Sequence, residues 1–134
     1  MANYEYCERT NYFAVRDVEG FKLLAQHLHA DIIEDTVDGV KIYGLLPSDE
    51  GFRSSYENEE GEEIEIDVLE EIGKLVAPGW VACVVHGGHE KLRYIGYQLS
   101  CVDSTGRTWS KGNLDLLKEA QSEFAGMRFE IPEY

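Results

Sequence analysis

The stretch Glu57–Glu71 reads ENEEGEEIEIDVLEE and predicts both a strand and the start of a helix. Ile64 and Ile66 alternate with acids, so one apolar face meets a core and the acids occupy the outer face. Asp67 is a residue type that caps helices, and the apolar spacing after it predicts a helix that ends before Pro78. An acidic hairpin that runs directly into a helix is therefore the central feature of the chain.

The negative charge of the chain is concentrated around this stretch. Residues 57–71 hold nine carboxylates and no Lys or Arg, and residues 31–71 hold fifteen acids against two bases. The wider segment therefore carries −13 of the chain's formal net charge of −14. This balance argues against direct binding to nucleic acid or to an anionic membrane, because both require a basic surface. It favours a basic protein as the partner.

The composition is that of one folded domain spanning residues 1–134. Hydrophobic residues make up 43% of the chain and aromatic residues 11%, which are globular values. No apolar run is long enough to cross a bilayer, and the first residues lack the features of a signal peptide, so we expect a cytoplasmic protein without a membrane partner. The three cysteines are an odd number without a CxxC motif, which argues against a disulfide framework.

The residues before residue 30 predict a strand and a helix. Tyr12–Val15 is rich in strand-forming residues, and Asp17 is suited to cap a helix over Val18–His29. Apolar residues spaced by one helical turn form the predicted inner face, which consists of Phe21, Leu24, Ala25 and Leu28.

Two hairpins are predicted next. Asp38-Gly39 separates the β-rich runs Ile32–Val37 and Val40–Leu46 and predicts a type I′ turn. The register set by this turn pairs Val37 with Val40, Asp35 with Ile42, and Glu34 with Tyr43. The second, acidic hairpin pairs Phe52–Tyr56 with Glu62–Ile66 around the turn Asn58–Gly61.

The second half of the chain predicts a long hairpin and a terminal helix. Trp80–Val85 and Lys91–Val102 flank His86–His89, whose central Gly-Gly predicts a tight turn. The apolar residues change parity along the later strand, so we expect a β-bulge near Tyr94–Gly96. The remaining strand predictions are a turn at Asp103–Gly106, a strand at Arg107–Trp109, and a tail at Met127–Tyr134 suited to an edge strand. A last helix is predicted at Leu114–Phe124, with an inner face of Leu114, Leu117, Ala120 (or Gln121) and Phe124.

These elements predict an α+β fold. Their order is β-α-β-β-(β-β)-α-β-β-β-α, with the acidic hairpin in parentheses. Without that insertion the chain begins βαββαβ, the order of a ferredoxin-like unit. Because the strands are joined mainly by hairpins, we expect a mainly antiparallel sheet with about three helices.

Few residues offer chemistry for metal binding or catalysis. Cys83, His86 and His89 are spaced like metal ligands, but a strand places Cys83 on the opposite face from His86, and a zinc site needs convergent groups. We interpret them as a core cysteine and two turn-flanking histidines, and we predict no metal and no cofactor. The chain lacks GxSxG, P-loop, GxGxxG, HExxH and EF-hand patterns, so we assign no catalytic residue and predict that it is not an enzyme.

The acidic stretch is the candidate functional surface. A charge run most often only keeps a protein soluble, but this one is confined to one segment and lies partly on an amphipathic strand. Such a strand would hold its outer carboxylates about 6.7 Å apart, a row that repels itself and resembles the charges of a nucleic acid. The residues predicted to bind a partner are Glu34, Asp35, Asp49, Glu50, Glu57, Glu59, Glu60, Glu62, Glu63 and Glu65.

Two stretches, Arg9–Phe21 (RTNYFAVRDVEGF) and Glu90–Tyr97 (EKLRYIGY), are similar in style to short plasmid and phage reading frames. In size, acidity and lack of catalytic motifs, the chain also resembles the small acidic inhibitors of phages and mobile elements, the anti-CRISPR and antirestriction proteins. These inhibitors share no common motif, so the resemblance does not give a role to any individual residue of this chain. It implies a protein that binds a Cas effector or restriction enzyme and blocks its nucleic-acid site.

Other interpretations stay open from the residues alone. An immunity protein that neutralises a basic nuclease toxin would use the same acidic surface. A small enzyme that binds a metal or small molecule would use the region of His86 and His89. The aromatic residues Trp80, Tyr94, Tyr97 and Trp109 suit either a core or a contact between copies, so both a monomer and a homodimer fit.

Overall fold

The computed structural model describes residues 4–48, 51–90 and 94–128 and has the predicted α+β class. The strands are β1 (Tyr4–Thr10), β2 (Ala30–Val37), β3 (Val40–Pro47), β4 (Ser55–Glu57), β5 (Glu63–Glu65), β6 (Val81–Glu90), β7 (Tyr94–Asp103) and β8 (Thr108–Gly112). The helices are α1 (Val18–Leu28), α2 (Val68–Leu75) and α3 (Asn113–Glu123). The mainly antiparallel strands and three helices confirm the predicted fold class.

The largest sheet is antiparallel and has the order β1-β6-β7-β8. Ala82 of β6 lies opposite Val102 of β7, and both are buried in the core. The fully buried side chains Phe21 and Leu28 of α1 and Ile72 of α2 join the same cluster. The two helices therefore close the core over one face of this sheet, as the inner face predicted for α1 requires.

The first strand differs from the prediction. It is β1, whereas Tyr12–Val15 makes only two isolated bridges, from Phe13 to Tyr43 and from Val15 to Val76. Phe13 and the next residue, Ala14, are both buried, at 0% and 6% exposure. Consecutive burial explains the error, because the apolar composition of this segment reflects its passage through the core rather than a place in a sheet.

The β2–β3 hairpin confirms the register predicted from its turn. Val37 lies opposite Val40 and Glu34 opposite Tyr43. Asp38 and Gly39 have φ angles of 50° and 78°, the two positive values that a type I′ turn requires.

The predicted ferredoxin-like order of elements at the start of the chain is present, but its strands do not form one sheet. β2 and β3 form a separate two-stranded sheet. Its attachment to the end of β1 includes a bond of 2.8 Å from the Leu45 N–H to the buried Thr10 hydroxyl, and the Phe13–Tyr43 bridge. A continuous sheet would need a ladder between β1 and β3, and the described residues form none.

The β6–β7 hairpin has a different register from the predicted one. β6 continues through His86–His89, and Glu90 pairs with Tyr94. Pairing is continuous to Val81 opposite Asp103, so the predicted bulge at Tyr94–Gly96 is wrong. The glycines serve another purpose, because a Cβ atom on Gly87 would meet the Gly96 carbonyl oxygen at 3.0 Å. These glycines lie within β6 and allow it to approach β7 closely; they do not form the predicted turn.

Helix α3 begins within one residue of its predicted start but buries its predicted face only in part. Leu117 and Ala120 are half-buried, Leu114 and Phe124 are 63% and 55% exposed, and no residue of α3 is fully buried. The amphipathic spacing correctly predicted a helix, but full burial also needs an opposing layer, and α3 mainly contacts β7 and β8 among the described elements. The predicted tail strand falls mostly on residues 129–134, outside the described residues.

Candidate partner-binding surface

The acidic hairpin is β4 and β5, shorter than predicted but in the expected place. Ser55 pairs with Glu65, Tyr56 with Ile64, and Glu57 with Glu63. Glu57, Glu63 and Glu65 are exposed, whereas Tyr56 and Ile64 are half-buried. Because strand side chains alternate, the three carboxylates share the outer face, and two of them lie directly opposite one another.

The tip of the hairpin is held by Asn58. Its side-chain Oδ1 accepts hydrogen bonds from the backbone N–H groups of Glu60 (3.0 Å) and Glu62 (2.8 Å). Its backbone N–H donates to the Glu62 carbonyl at 2.9 Å, and Gly61 takes the left-handed conformation that the turn needs, with φ 79°. The backbone that carries the tip carboxylates therefore has a defined shape.

Stacking and strand pairing anchor the hairpin to the rest of the protein. The Tyr56 ring stacks on His27 of α1 with centroids 3.7 Å apart and planes 4° apart. The Ile66 N–H donates to the Ser54 carbonyl at 2.7 Å, which extends the pairing beyond β5. Asp67 then caps α2 by accepting a bond from the Glu70 N–H at 3.1 Å, as predicted.

A cavity of about 340 Å³ separates part of the hairpin from α1 and α2. Ile64 and Ile66 line it from the hairpin, and Leu23 and Leu24 line it from α1. Beside this cavity, Ile66 packs against the core and joins the hairpin segment to it.

Within the described residues, no ion pair joins a carboxylate of the hairpin to a basic side chain. Among residues 4–48, 51–90 and 94–128, the ion pairs join Lys22 to Glu19, Lys74 to Glu71, and Lys111 to Glu119. The only side-chain bond to a hairpin carboxylate in these residues is from the Ser55 hydroxyl to Glu63, at 2.8 Å. Repulsion among the hairpin acids is consequently not offset by basic side chains of the described chain.

The other predicted partner-binding residues lie apart from this hairpin. Glu34 and Asp35 are exposed on β2, and Asp35 accepts a bond from the Thr36 N–H at 2.8 Å. The β2–β3 and β4–β5 hairpins are separate two-stranded sheets that both contact α1, so these acids do not extend the strand row of Glu57, Glu63 and Glu65. Asp49 and Glu50 lie outside the described residues.

Sequence reasoning identified the acidic residues but missed the groups that position them. The turn at Asn58–Gly61 was predicted, and its Asn-x-x-Gly composition carries the signal for the Asn58 bonds. No signal in the sequence indicated that Tyr56 stacks on His27, because those residues are 29 positions apart.

The cysteine and histidine residues do not form a three-ligand metal cluster in the part of the chain that the structure describes. Cys83 and His86 both lie on β6 with opposite parity, which confirms that they point to opposite faces. Cys83 instead meets Cys101, with the two sulfur atoms 3.1 Å apart. Burial, and then the hydrogen bond with Cys101, raise the pKa of the Cys83 thiol to about 12.

Two further findings bear on the functional classes. In the described residues, no helix is both long enough and apolar enough to span a membrane. Outside the hairpin, the pKa of Lys74 is raised by its bond with Glu71, and the pKa of Asp103 is lowered by the Thr105 hydroxyl. Comparison of the chain with protein-family models, curated proteins and solved structures finds no significant match, so a functional assignment rests on the geometry of the chain itself.

Proposed function

We propose that this protein is a non-enzymatic inhibitor that binds a basic nucleic-acid-binding protein through the acidic hairpin and blocks its nucleic-acid site. The observation that supports this proposal is the group of exposed carboxylates on Glu57, Glu63 and Glu65, which share one face and form no ion pair with another described residue. Like charges placed directly opposite on a hairpin destabilise it. A partner rich in Lys and Arg would remove that repulsion on binding.

The shape of the hairpin also favours this function. Adjacent outer carboxylates on one strand lie about 6.7 Å apart and form a row of fixed negative charges, as the phosphates of a nucleic-acid strand do. The Asn58 bonds and the Tyr56 stack restrict the backbone before binding, which lowers the entropy cost of association. A channel built for nucleic acid would meet a similar pattern of charge.

The test is affinity capture from an extract of the cells that encode the protein, treated with nuclease and washed at stepped salt. We expect the wild type to retain a basic nucleic-acid-binding protein that salt releases, because exposed charge pairs are screened. Added nucleic acid should displace it. With purified partner, the triple substitution Glu57→Gln, Glu63→Gln and Glu65→Gln should weaken binding about tenfold, from three pairs of about 0.5 kcal/mol each.

A matched control removes three carboxylates elsewhere, by Asp31→Asn, Glu19→Gln and Glu123→Gln. It changes the net charge by the same amount and should leave binding within about twofold. Equal capture of the same proteins by the triple hairpin variant would contradict the proposal. Capture of a partner that nucleic acid does not displace would contradict the blocking mechanism.

A further inference from the structure

Cys83 of β6 and Cys101 of β7 form a close pair of thiols across the two strands. Cys83 and Cys101 lie directly opposite one another, and their sulfur atoms are 3.1 Å apart. Both thiols are free in the structure. A disulfide bond would bring the sulfur atoms to about 2.0 Å, a movement of about 1 Å.

The backbone bonds of Cys83 show which kind of cross-strand pair this is. Its N–H donates to the side chain of Asn11 at 2.8 Å, and its carbonyl accepts from the Asn11 N–H at 3.1 Å. The N–H and C=O of one strand residue point to the same side, here toward β1 and away from β7. Cys83 and Cys101 are therefore a non-hydrogen-bonded antiparallel pair, in which Cα atoms approach to about 4.5 Å. That separation lies within the range of disulfides, about 4.4–6.8 Å.

The pair is also accessible to a small oxidant. Both cysteines are half-buried rather than enclosed. The third cysteine, Cys7, is exposed on β1 opposite Gly87 and has no sulfur neighbour in the described part of the chain. The chain thus carries one thiol pair placed for bond formation and one single thiol for comparison.

We propose that Cys83 and Cys101 are a redox modification site that forms a reversible disulfide by exchange with a low-molecular-weight disulfide. The thiolate of one cysteine attacks the small disulfide, forms a mixed disulfide and releases one small thiolate. The other cysteine, once deprotonated, then attacks the protein sulfur and displaces the second small thiolate. The protein loses two electrons and two protons, and the small disulfide is reduced to two thiols.

The surroundings of Cys83 indicate the order of attack. Burial, and then the hydrogen bond that Cys101 donates to it, raise the pKa of the Cys83 thiol, so Cys83 keeps its proton and Cys101 is the first nucleophile. In the mixed disulfide the Cys101 sulfur is neutral and no longer holds the Cys83 proton by charge. Cys83 can then ionise and close the bond. This inference does not depend on the proposed inhibitor function.

The experiment is a count of free thiols in the folded, fully reduced protein before and after incubation with glutathione disulfide. The count is obtained by alkylation and intact mass measurement. We expect the three thiols to fall to one, a peptide linking Cys83 to Cys101, and recovery of all three after excess reduced glutathione. Unchanged thiols, or glutathione attached to Cys7 alone, would overturn the proposal.

Two variants separate the pair from general thiol reactivity. Cys7→Ser should fall from two free thiols to none and still give the Cys83–Cys101 peptide. Cys83→Ser should stop at glutathione attached to Cys101, with no internal bond. If Cys83→Ser fails to fold, Cys7→Ser alone tests the proposal. Formation of the internal bond in Cys7→Ser supports the proposal, and its absence refutes it. An intermolecular disulfide in place of the internal one would also refute the inference.

Discussion

Neutralising a single carboxylate of the acidic hairpin should stabilise the protein, and Glu63→Gln is the cleanest change. Glu63 lies opposite Glu57 and two residues from Glu65 on the same face. Gln has nearly the same shape and keeps an oxygen that accepts the 2.8 Å bond from Ser55, so only the charge is removed. The substitution therefore measures repulsion within the hairpin.

The expected magnitude follows from the spacing of the charges. Two carboxylates about 6 Å apart in water repel by about 0.7 kcal/mol, and Glu65 adds a similar amount at about 6.7 Å. The unfolded chain keeps part of this repulsion because the residues are close in sequence. We expect a net gain of about 0.5–1 kcal/mol at 0.01 M ionic strength, where the Debye length is about 30 Å. At 1 M salt, where it is about 3 Å, the gain should fall to about 0.1–0.2 kcal/mol.

The assay is urea unfolding of wild type and variant at both salt concentrations, followed by tryptophan fluorescence. Asp31→Asn is the matched control, since Asp31 is an exposed strand carboxylate whose cross-strand neighbour is Leu46 rather than an acid. It should give a smaller gain at low salt. A Glu63→Gln protein that is less stable than wild type at low salt, or whose gain persists at 1 M, would refute the reasoning.

Three further predictions test the fold around the hairpin. Asp67→Ala removes the cap of α2 and should cost about 1 kcal/mol in urea unfolding, whereas Asp67→Asn should cost less because its side-chain oxygen still accepts. Leu28→Ala removes a fully buried side chain and should cost about 2–5 kcal/mol by calorimetry, and a loss below about 1 kcal/mol would show that Leu28 is not a core residue. The pKa of Asp103 is lowered by bonds from Thr105 and Arg107, so its contribution to stability is present above pH 3.8 and is lost as the pH falls toward the lower folded value. The stability difference between wild type and Asp103→Asn should shrink across that window, and a constant difference would contradict this assignment.

The sequence predicted those parts of the fold that depend on local chemistry. The β2–β3 register follows from Asp38-Gly39, because two positive φ angles leave one way to pair the flanking strands. The caps of α1 and α2 follow in the same way from Asp17 and Asp67. In each case the residues that determine the structure lie within a few positions of one another.

The failed predictions depend on contacts between distant residues. Gly87 and Gly88 have the composition of a turn, and only their approach to Gly96 on the next strand reveals another role. Leu114 is exposed because no described element packs over it. The helical spacing of apolar residues predicts which face is apolar, but not whether another element covers that face. For the candidate surface, the acids were visible in the sequence, but their anchoring by His27 requires the folded chain.

The way the acidic hairpin leaves and rejoins the chain has a consequence for its evolution. The Ile66 N–H is bonded to the Ser54 carbonyl, so the segment starts and ends at adjacent points. Before it, the Arg53 N–H is bonded to Leu28, and after it Asp67 begins a capped helix. Length and charge between these points can therefore change while the flanking backbone stays in place. A protein built in this way can acquire a new surface through changes in the turn and outer face of one hairpin, without a change in the residues that form its core.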